Sequence, residues 1–330
     1  MSGKNANVFA EAYRRLTAPK PMADQVDLSG RSAVVTGGAA NSIGYYVAKA
    51  LAAWGADVVV TSLGETDTLQ SKLCDELRAD GVDQGRLVAQ PVDLADPLSV
   101  AAFAQWHREH HGDELDILVN NAGIFSDIAK RAKTPILAGD GTEVHWRVNF
   151  LGTFHLTSLL LPRLQSAGER TGDARIIITS SVVHEKGSNA RFFSEPPLPY
   201  NSWDAYAQSK LALVHLALEL QRRFADQYGL QTAAVHPGDV RSNLTNAGLG
   251  QQPVLRMMNR LTSPLQAPFF LSPLQGAQTT IACATMIPLR GGEYYETCAV
   301  SRASEETQDS DTARRLWDGA QEWVSSLPNG

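Results

Sequence analysis

The sequence predicts an α/β protein with a doubly wound parallel sheet in a single domain, and three observations carry the prediction. Short runs of β-branched and apolar residues recur along the chain, amphipathic helical patterns separate them, and 330 residues with 43% apolar content supply a sizeable core. A parallel sheet covered on both faces requires that alternation, and right-handed crossovers then favour the doubly wound order. The strands fall at residues 32–36, 57–61, 87–92, 115–120, 175–180 and 231–236. Ligands of such sheets sit at the C-terminal strand ends, so the chemistry is sought there.

Before the first strand, residues 1–28 hold a short helical pattern broken by Pro19 and Pro21, and read as an N-terminal extension to a domain spanning 29–330. Stretches 124–141 and 185–202 are irregular; the second contains Pro196, Pro197 and Pro199, which lack ladder donors, and is expected to be a long loop. A third, 245–273, mixes Met257, Met258, Phe269 and Phe270 with few acids, and reads either as a cover over an apolar substrate or as a buried connection. Within a helical pattern at 205–224, residues 211–220 are apolar around most of the circumference, as in buried core or in the interface of a homo-oligomer.

Twenty-nine Lys and Arg against 35 Asp and Glu leave a net charge of −6, which gives no general attraction to nucleic acid or anionic lipid. Cys74, Cys283 and Cys298 are odd in number and far apart, so no disulfide framework or CxxC clip is expected, and a reducing, cytoplasmic setting fits best. No window approaches a membrane span, and the N-terminus lacks a signal-peptide core, so a soluble protein is expected. His107, His110 and His111 lie at a helix end without an acid-rich cluster; they read as a solvated terminus rather than a metal site. His184, three residues after Ser181, reads either as a border of the substrate or as a loop histidine without a role.

After the first strand comes Thr36-Gly37-Gly38-Ala39-Ala40-Asn41-Ser42-Ile43-Gly44, opening a helical pattern that runs to Ala53. Glycines permit a tight turn and close backbone approach, and the free N–H groups of a helix start attract a pyrophosphate. The spacing departs from GxGxxG, and a purely structural strand-to-helix turn would look similar. The second strand runs into Thr61-Ser62-Leu63, where an NAD site usually places a carboxylate. Its absence, with Thr61 and Ser62 able to donate to a 2′-phosphate, tilts the expectation towards NADP, although Leu63 brings no charge and Glu65 lies close.

Tyr206 and Lys210, four apart in a helical pattern, share one face. Asn120-Asn121-Ala122-Gly123, Ser180-Ser181 and Pro237-Gly238 each fall at the ligand end of a strand, which gives the tyrosine–lysine pair its context.

Together these residues resemble the short-chain dehydrogenase/reductase family, with a Rossmann-like fold, from about Leu28 to the C-terminal helix. Val148-Asn149-Phe150-Leu151-Gly152-Thr153-Phe154, residues 236–242 and Gly292-Glu293-Tyr294-Tyr295 with Leu316-Trp317 resemble its retinol-dehydrogenase-like branch. The resemblance implies that Asn149, Ser181, Tyr206 and Lys210 form the catalytic tetrad. It puts Asp93 and Leu94 against adenine, Asn120, Ala122 and Gly123 beside nicotinamide, and Pro237, Gly238, Val240 and Ser242 on its carboxamide. Gly37, Gly38, Ser42, Ile43, Gly44 and Ser62 complete the cofactor contacts, with Tyr206 and Lys210. The chain departs from the family's TGxxxGxG turn: Ser42 stands where the middle glycine belongs, so its side chain must point away from a pyrophosphate or hydrogen-bond to it.

The residue chemistry agrees with those implied roles. Hydride transfer to a carbonyl carbon leaves alkoxide charge on oxygen, which calls for a proton donor, Tyr206, and a polarising hydrogen bond, Ser181. A free phenol must fall about three units to be half ionised at neutral pH, roughly 4 kcal/mol of differential stabilisation. A lysine ammonium one turn away has the right sign, and Asn149 is assigned a water linking Lys210 to solvent. The expected function is NAD(P)-dependent oxidoreduction of a small apolar ketone or aldehyde, or of the corresponding alcohol. The alternative is a non-catalytic NADP-sensing protein of the same fold.

Overall fold

The computed structural model describes residues 20–82, 87–126, 132–193, 199–240 and 271–327. Strands β1 (Ser32–Thr36), β2 (Asp57–Ser62), β3 (Leu87–Pro91), β4 (Ile117–Asn120), β5 (Ala174–Thr179), β6 (Leu230–His236), β7 (Glu293–Glu296) and β8 (Ala299–Ser301) form one sheet in the order β3-β2-β1-β4-β5-β6-β7-β8. All neighbours are parallel except β7 and β8. Alternate residues of each strand face opposite layers: Val34, Val59, Leu118 and Ile176 join one apolar cluster, while Val35, Val58, Val60, Ile117 and Ile177 join the other. The chain winds outward from β1 to β3 and then returns to β4 on the other side of β1. That reversal opens a crevice at the C-terminal ends of β1 and β4.

Helices α1 (Ile43–Ala53), α2 (Thr66–Ala79), α3 (Pro97–His111), α4 (Thr153–Thr171), the single turn α5 (Asn189–Phe192), α6 (Ser202–Tyr228), α7 (Pro273–Thr285) and α8 (Ser310–Ser326) cover the sheet. Their ends are where side-chain chemistry puts them. Ser42, Asp96, Asn201 and Ser272 accept from first-turn N–H groups, and Gly172 and Gly229 close α4 and α6 in left-handed geometry. No described helix is long and apolar enough to cross a membrane.

Several expectations change. The sheet gains β7 and β8, too short to stand out as sequence runs; Thr297 and Cys298, at φ 51° and 59°, form the tight turn between them. Of stretch 185–202, residues 194–198 with Pro196 and Pro197 lie outside the described residues, and the part before them is more than a loop. Residues Val182–Lys186 form a 3₁₀ turn, and α5 is anchored because Glu306 accepts from Asn189 N at 2.7 Å and Asn189 Oδ1 lies 2.9 Å from His215 Nε2. Of the two readings of 211–220, burial within the chain is the observed one, with Leu211, Ala212 and Leu220 fully covered. His107 is not solvated: it is buried, its ring 5.1 Å from that of His111, and burial drives its pKa down to about 3. Leu28, at the inner end of the N-terminal stretch, is also buried, and Ala23 N donates to Gln278 Oε1 at 3.0 Å. Most of 245–273 lies outside the described residues, as does Ser242.

Candidate active site

The turn after β1 is held from the neighbouring strand. Asn121 Nδ2 donates to the carbonyl oxygens of Thr36 at 2.8 Å and Gly37 at 3.3 Å, while Thr36 Oγ1 accepts from Asn121 N and Ala122 N at 3.0 and 2.9 Å. A Cβ on Gly37 would lie 2.8 Å from Ala122 Cα, one on Gly38 would overlap Val60, and one on Gly44 would come within 2.6 Å of both Asn121 Nδ2 and Gly37 O. Only glycine fits these three places. Ser42 resolves as a cap: its Oγ accepts Tyr45 N–H at 3.1 Å and donates to Gly37 O at 3.0 Å, so the hydroxyl is turned into the protein. The first turn of α1 carries no acid, and the N–H groups of Ile43 and Gly44 lack intrahelical partners, which makes the helix start a fitting seat for a pyrophosphate.

Tyr206, Lys210, Ser181 and Asn149, from three separate elements, come together at the strand tips. Tyr206, on α6, stands close enough to Ser181 for the serine to oppose the rise of its pKa; Ser181 follows β5 and caps the 3₁₀ turn by accepting Val183 N–H at 3.3 Å. Lys210, one turn along α6, is buried; its Nζ donates to Thr179 O at 3.0 Å and sits 5.7 Å from the Tyr206 ring centroid. Asn149 is buried in a π-helical turn, Trp146–Gly152; its Oδ1 accepts Ile124 N–H at 2.7 Å, and its Nδ2 donates to Ile124 O and Ser209 Oγ, both at 3.0 Å. Gly123 lies between them: a Cβ there would be 3.2 Å from Asn149 Oδ1 and 3.4 Å from Lys210 Nζ. Residues with little or no side chain thus follow one another from the glycine turn through Ala122 to Gly123 beside Asn149 and Lys210, which suits the close approach of an extended dinucleotide.

Burial dominates the electrostatics. It pushes the Tyr206 phenol up to about 12 despite the opposing effect of Ser181, and it lowers Lys210 to about 8. His184 is also fully buried rather than a free loop residue; its Nδ1 lies 2.7 Å from Ser181 O and its Nε2 accepts Ser304 N–H at 3.0 Å.

Other expected cofactor residues divide. Ser62 is buried and its Oγ accepts Gly64 N–H at 3.2 Å, while Lys72 Nζ reaches Asn41 Oδ1 at 3.4 Å beside the turn. Asp93 Oδ1 accepts Ala95 N–H at 2.8 Å, and Leu94 O lies where a Cβ on Gly152 would fall. Asn120 turns away from the crevice and donates to Thr157 Oγ1 at 2.9 Å. Gly238, at φ 82°, would meet Leu271 if it carried a Cβ, and Val240 pairs with Leu271. Residues missed from sequence include Thr36 and Asn121, which build the turn. Phe125 was missed too: its ring stacks on Tyr206 with centroids 4.1 Å apart.

Comparison with known proteins agrees with this geometry. The model of the short chain dehydrogenase family matches residues 31–252. Bovine retinol dehydrogenase 12 is 34% identical over 313 residues, covering 94% of this chain and 91% of its own length. Mouse polyprenol dehydrogenase is 36% identical over 294 residues, covering 87% and 82%. Among solved structures, the Pseudomonas aeruginosa RhlG/NADP active-site complex superposes with a TM-score of 0.61 at 25% identity, covering 83% of this chain and 96% of that one.

Proposed function

The chain belongs to the short-chain dehydrogenase/reductase family, in its retinol-dehydrogenase-like branch, and is an NAD(P)-dependent oxidoreductase; on that footing we propose that it interconverts an apolar ketone or aldehyde and its alcohol, with NADP preferred. The observation that carries the reading is buried Lys210 one turn from Tyr206 on α6, donating to Thr179 O at the tip of β5 two residues before Ser181.

Bound nicotinamide supplies the hydride donor or acceptor. The protein's part concerns the substrate oxygen. Ser181 polarises it, and Tyr206 delivers a proton as alkoxide charge develops, or removes one in the reverse direction. Lys210 stabilises the resulting phenolate by charge, and Asn149, tied to Ile124 beside Gly123, is assigned a water that links Lys210 to solvent. The NADP preference is supported by the absence of a carboxylate at the end of β2 and by Lys72 beside Asn41. The apolar substrate preference is supported by Phe125 stacked on the Tyr206 ring, by Trp203 edge-on to Phe125 and by exposed Val182 next to Ser181 in the chain.

NADPH consumption with a panel of apolar aldehydes and ketones tests the reading. Turnover by the native protein and its loss by about 10²- to 10⁴-fold in Tyr206→Phe are expected. Binding of NADPH without turnover in either would favour the cofactor-sensing alternative.

A further inference from the structure

The wall facing Tyr206 is gripped from behind. Asn149 holds Ile124 through both backbone groups, at 2.7 and 3.0 Å, and His145 Nε2 accepts Ser126 N–H at 3.0 Å. Phe125, between those two anchors, lies face to face with Tyr206, planes 13° apart, and meets Trp203 edge-on at 4.8 Å. His145 is itself only 1% exposed, and its ring stands edge-on to both Phe125 and Tyr206 at 6.0 Å. Because Nε2 accepts, Nδ1 carries the proton and donates to Glu143 Oε1 at 2.6 Å. Glu143 is occupied in turn: Oε2 accepts Trp146 N–H at 2.9 Å and Oε1 accepts the Tyr200 hydroxyl at 3.1 Å. Burial raises the Glu143 carboxyl, but the hydrogen bond from His145 Nδ1 and the backbone N–H groups of His145 and Trp146 bring it below its ordinary value, so it remains ionised.

Resting on the oxidoreductase reading above, we propose that Glu143 and His145 are a positioning pair that keeps Phe125 flat against Tyr206 and so sets the angle at which the phenol meets the substrate oxygen. The pair touches no reacting atom. It fixes the backbone on one side of Phe125 while Asn149 fixes the other, and the ring between them leaves the phenol little freedom to tilt.

Glutamine has an oxygen and an N–H spaced as the two imidazole nitrogens are, so His145→Gln can still accept from Ser126 and donate to Glu143, whereas His145→Leu can do neither. The expected result is a kcat lower by about 10- to 100-fold in His145→Leu, with NADPH affinity kept and most of kcat recovered in His145→Gln. As water reaches the loosened ring, the Tyr206 phenol should ionise at lower pH, read as the ultraviolet phenolate titration of each protein minus that of its Tyr206→Phe counterpart. A folded His145→Leu protein with native kcat and native phenolate titration would overturn the assignment, as would equal impairment of the Leu and Gln variants. If His145→Leu does not fold, Phe125→Leu, which leaves every hydrogen bond of the pair in place, must show the same kcat loss and phenolate shift; native behaviour there overturns it. Should the native protein lack turnover on every carbonyl, the oxidoreductase reading fails, and the phenolate titration still decides the positioning role.

Discussion

Lys210 Nζ donates to the carbonyl oxygen of Thr179 at 3.0 Å from a site almost closed to solvent. One neutral acceptor does not replace the water an ammonium gives up, which is why burial lowers this lysine from 10.5 to about 8. In the unfolded chain the group returns to its ordinary value. At neutral pH it is charged in both states, so the whole burden, on the order of 3 kcal/mol, weighs on the folded protein and fades as pH rises from about 8 to 10.5.

Lys210→Met should therefore raise the melting temperature of the cofactor-free protein at neutral pH while nearly abolishing turnover. Calorimetry at neutral and alkaline pH checks the sign: the gain should shrink as pH climbs past about 8. A lower melting temperature at neutral pH would contradict it.

The same shifts set opposite pH trends for the two reaction directions. Tyr206, pushed up by burial to about 12, stays protonated through the neutral range, ready to donate, so reduction should be flat there and decline above about pH 8 as Lys210 loses its charge. Oxidation needs the phenolate and should rise with pH over the same range. Initial rates in both directions with one substrate pair provide the check.

Gly44→Ala places a Cβ within 2.6 Å of a neighbouring backbone oxygen and of Asn121 Nδ2. The turn must shift, and NADPH affinity should fall by at least about tenfold, accompanied by a loss of stability of about 1–3 kcal/mol. Asn121→Ala removes the donor to Thr36 O and Gly37 O from the other side and should cost a similar amount. Fluorescence titration with NADPH and denaturant unfolding measure both.

Cofactor choice is open to two single changes. Ser62→Asp puts a carboxylate at the end of β2 and should move preference towards NADH. Lys72→Glu reverses the charge beside Asn41 and should weaken NADPH by about tenfold while leaving NADH less affected. Equal effects on the two dinucleotides would remove Lys72 from the 2′-phosphate environment.

The strand rhythm was legible because most of the first six strands are runs of buried apolar and β-branched residues; the approach of Tyr206 and Lys210 to Ser181 was legible from their helical spacing and from the strand tips, whereas Asn149 was reached only through the family resemblance. What stayed hidden depended on contacts distant in sequence. Strand β7 is four residues with glutamate at either end, and only its pairing with β6 makes it a strand. His107 looked like a solvated terminus because its neighbours His110 and His111 are polar, yet position 107 shares its helix face with Phe103 and Val100. Ser42 could not be assigned a direction until the carbonyl of Gly37 was seen to accept its proton. The role of Asn121, adjacent to expected contacts, needed the folded distance to Thr36.

His184 joins Ser181 to Ser304 through its two ring nitrogens, so a tip of the central sheet is moored to a part of the chain more than a hundred residues downstream. Trimming the tail, or fusing a rigid partner to it, would slacken that mooring and disturb the serine with no change in the serine's own surroundings in sequence. Position 181 is in this sense governed from afar, and shortened versions of the protein deserve kinetic as well as folding checks.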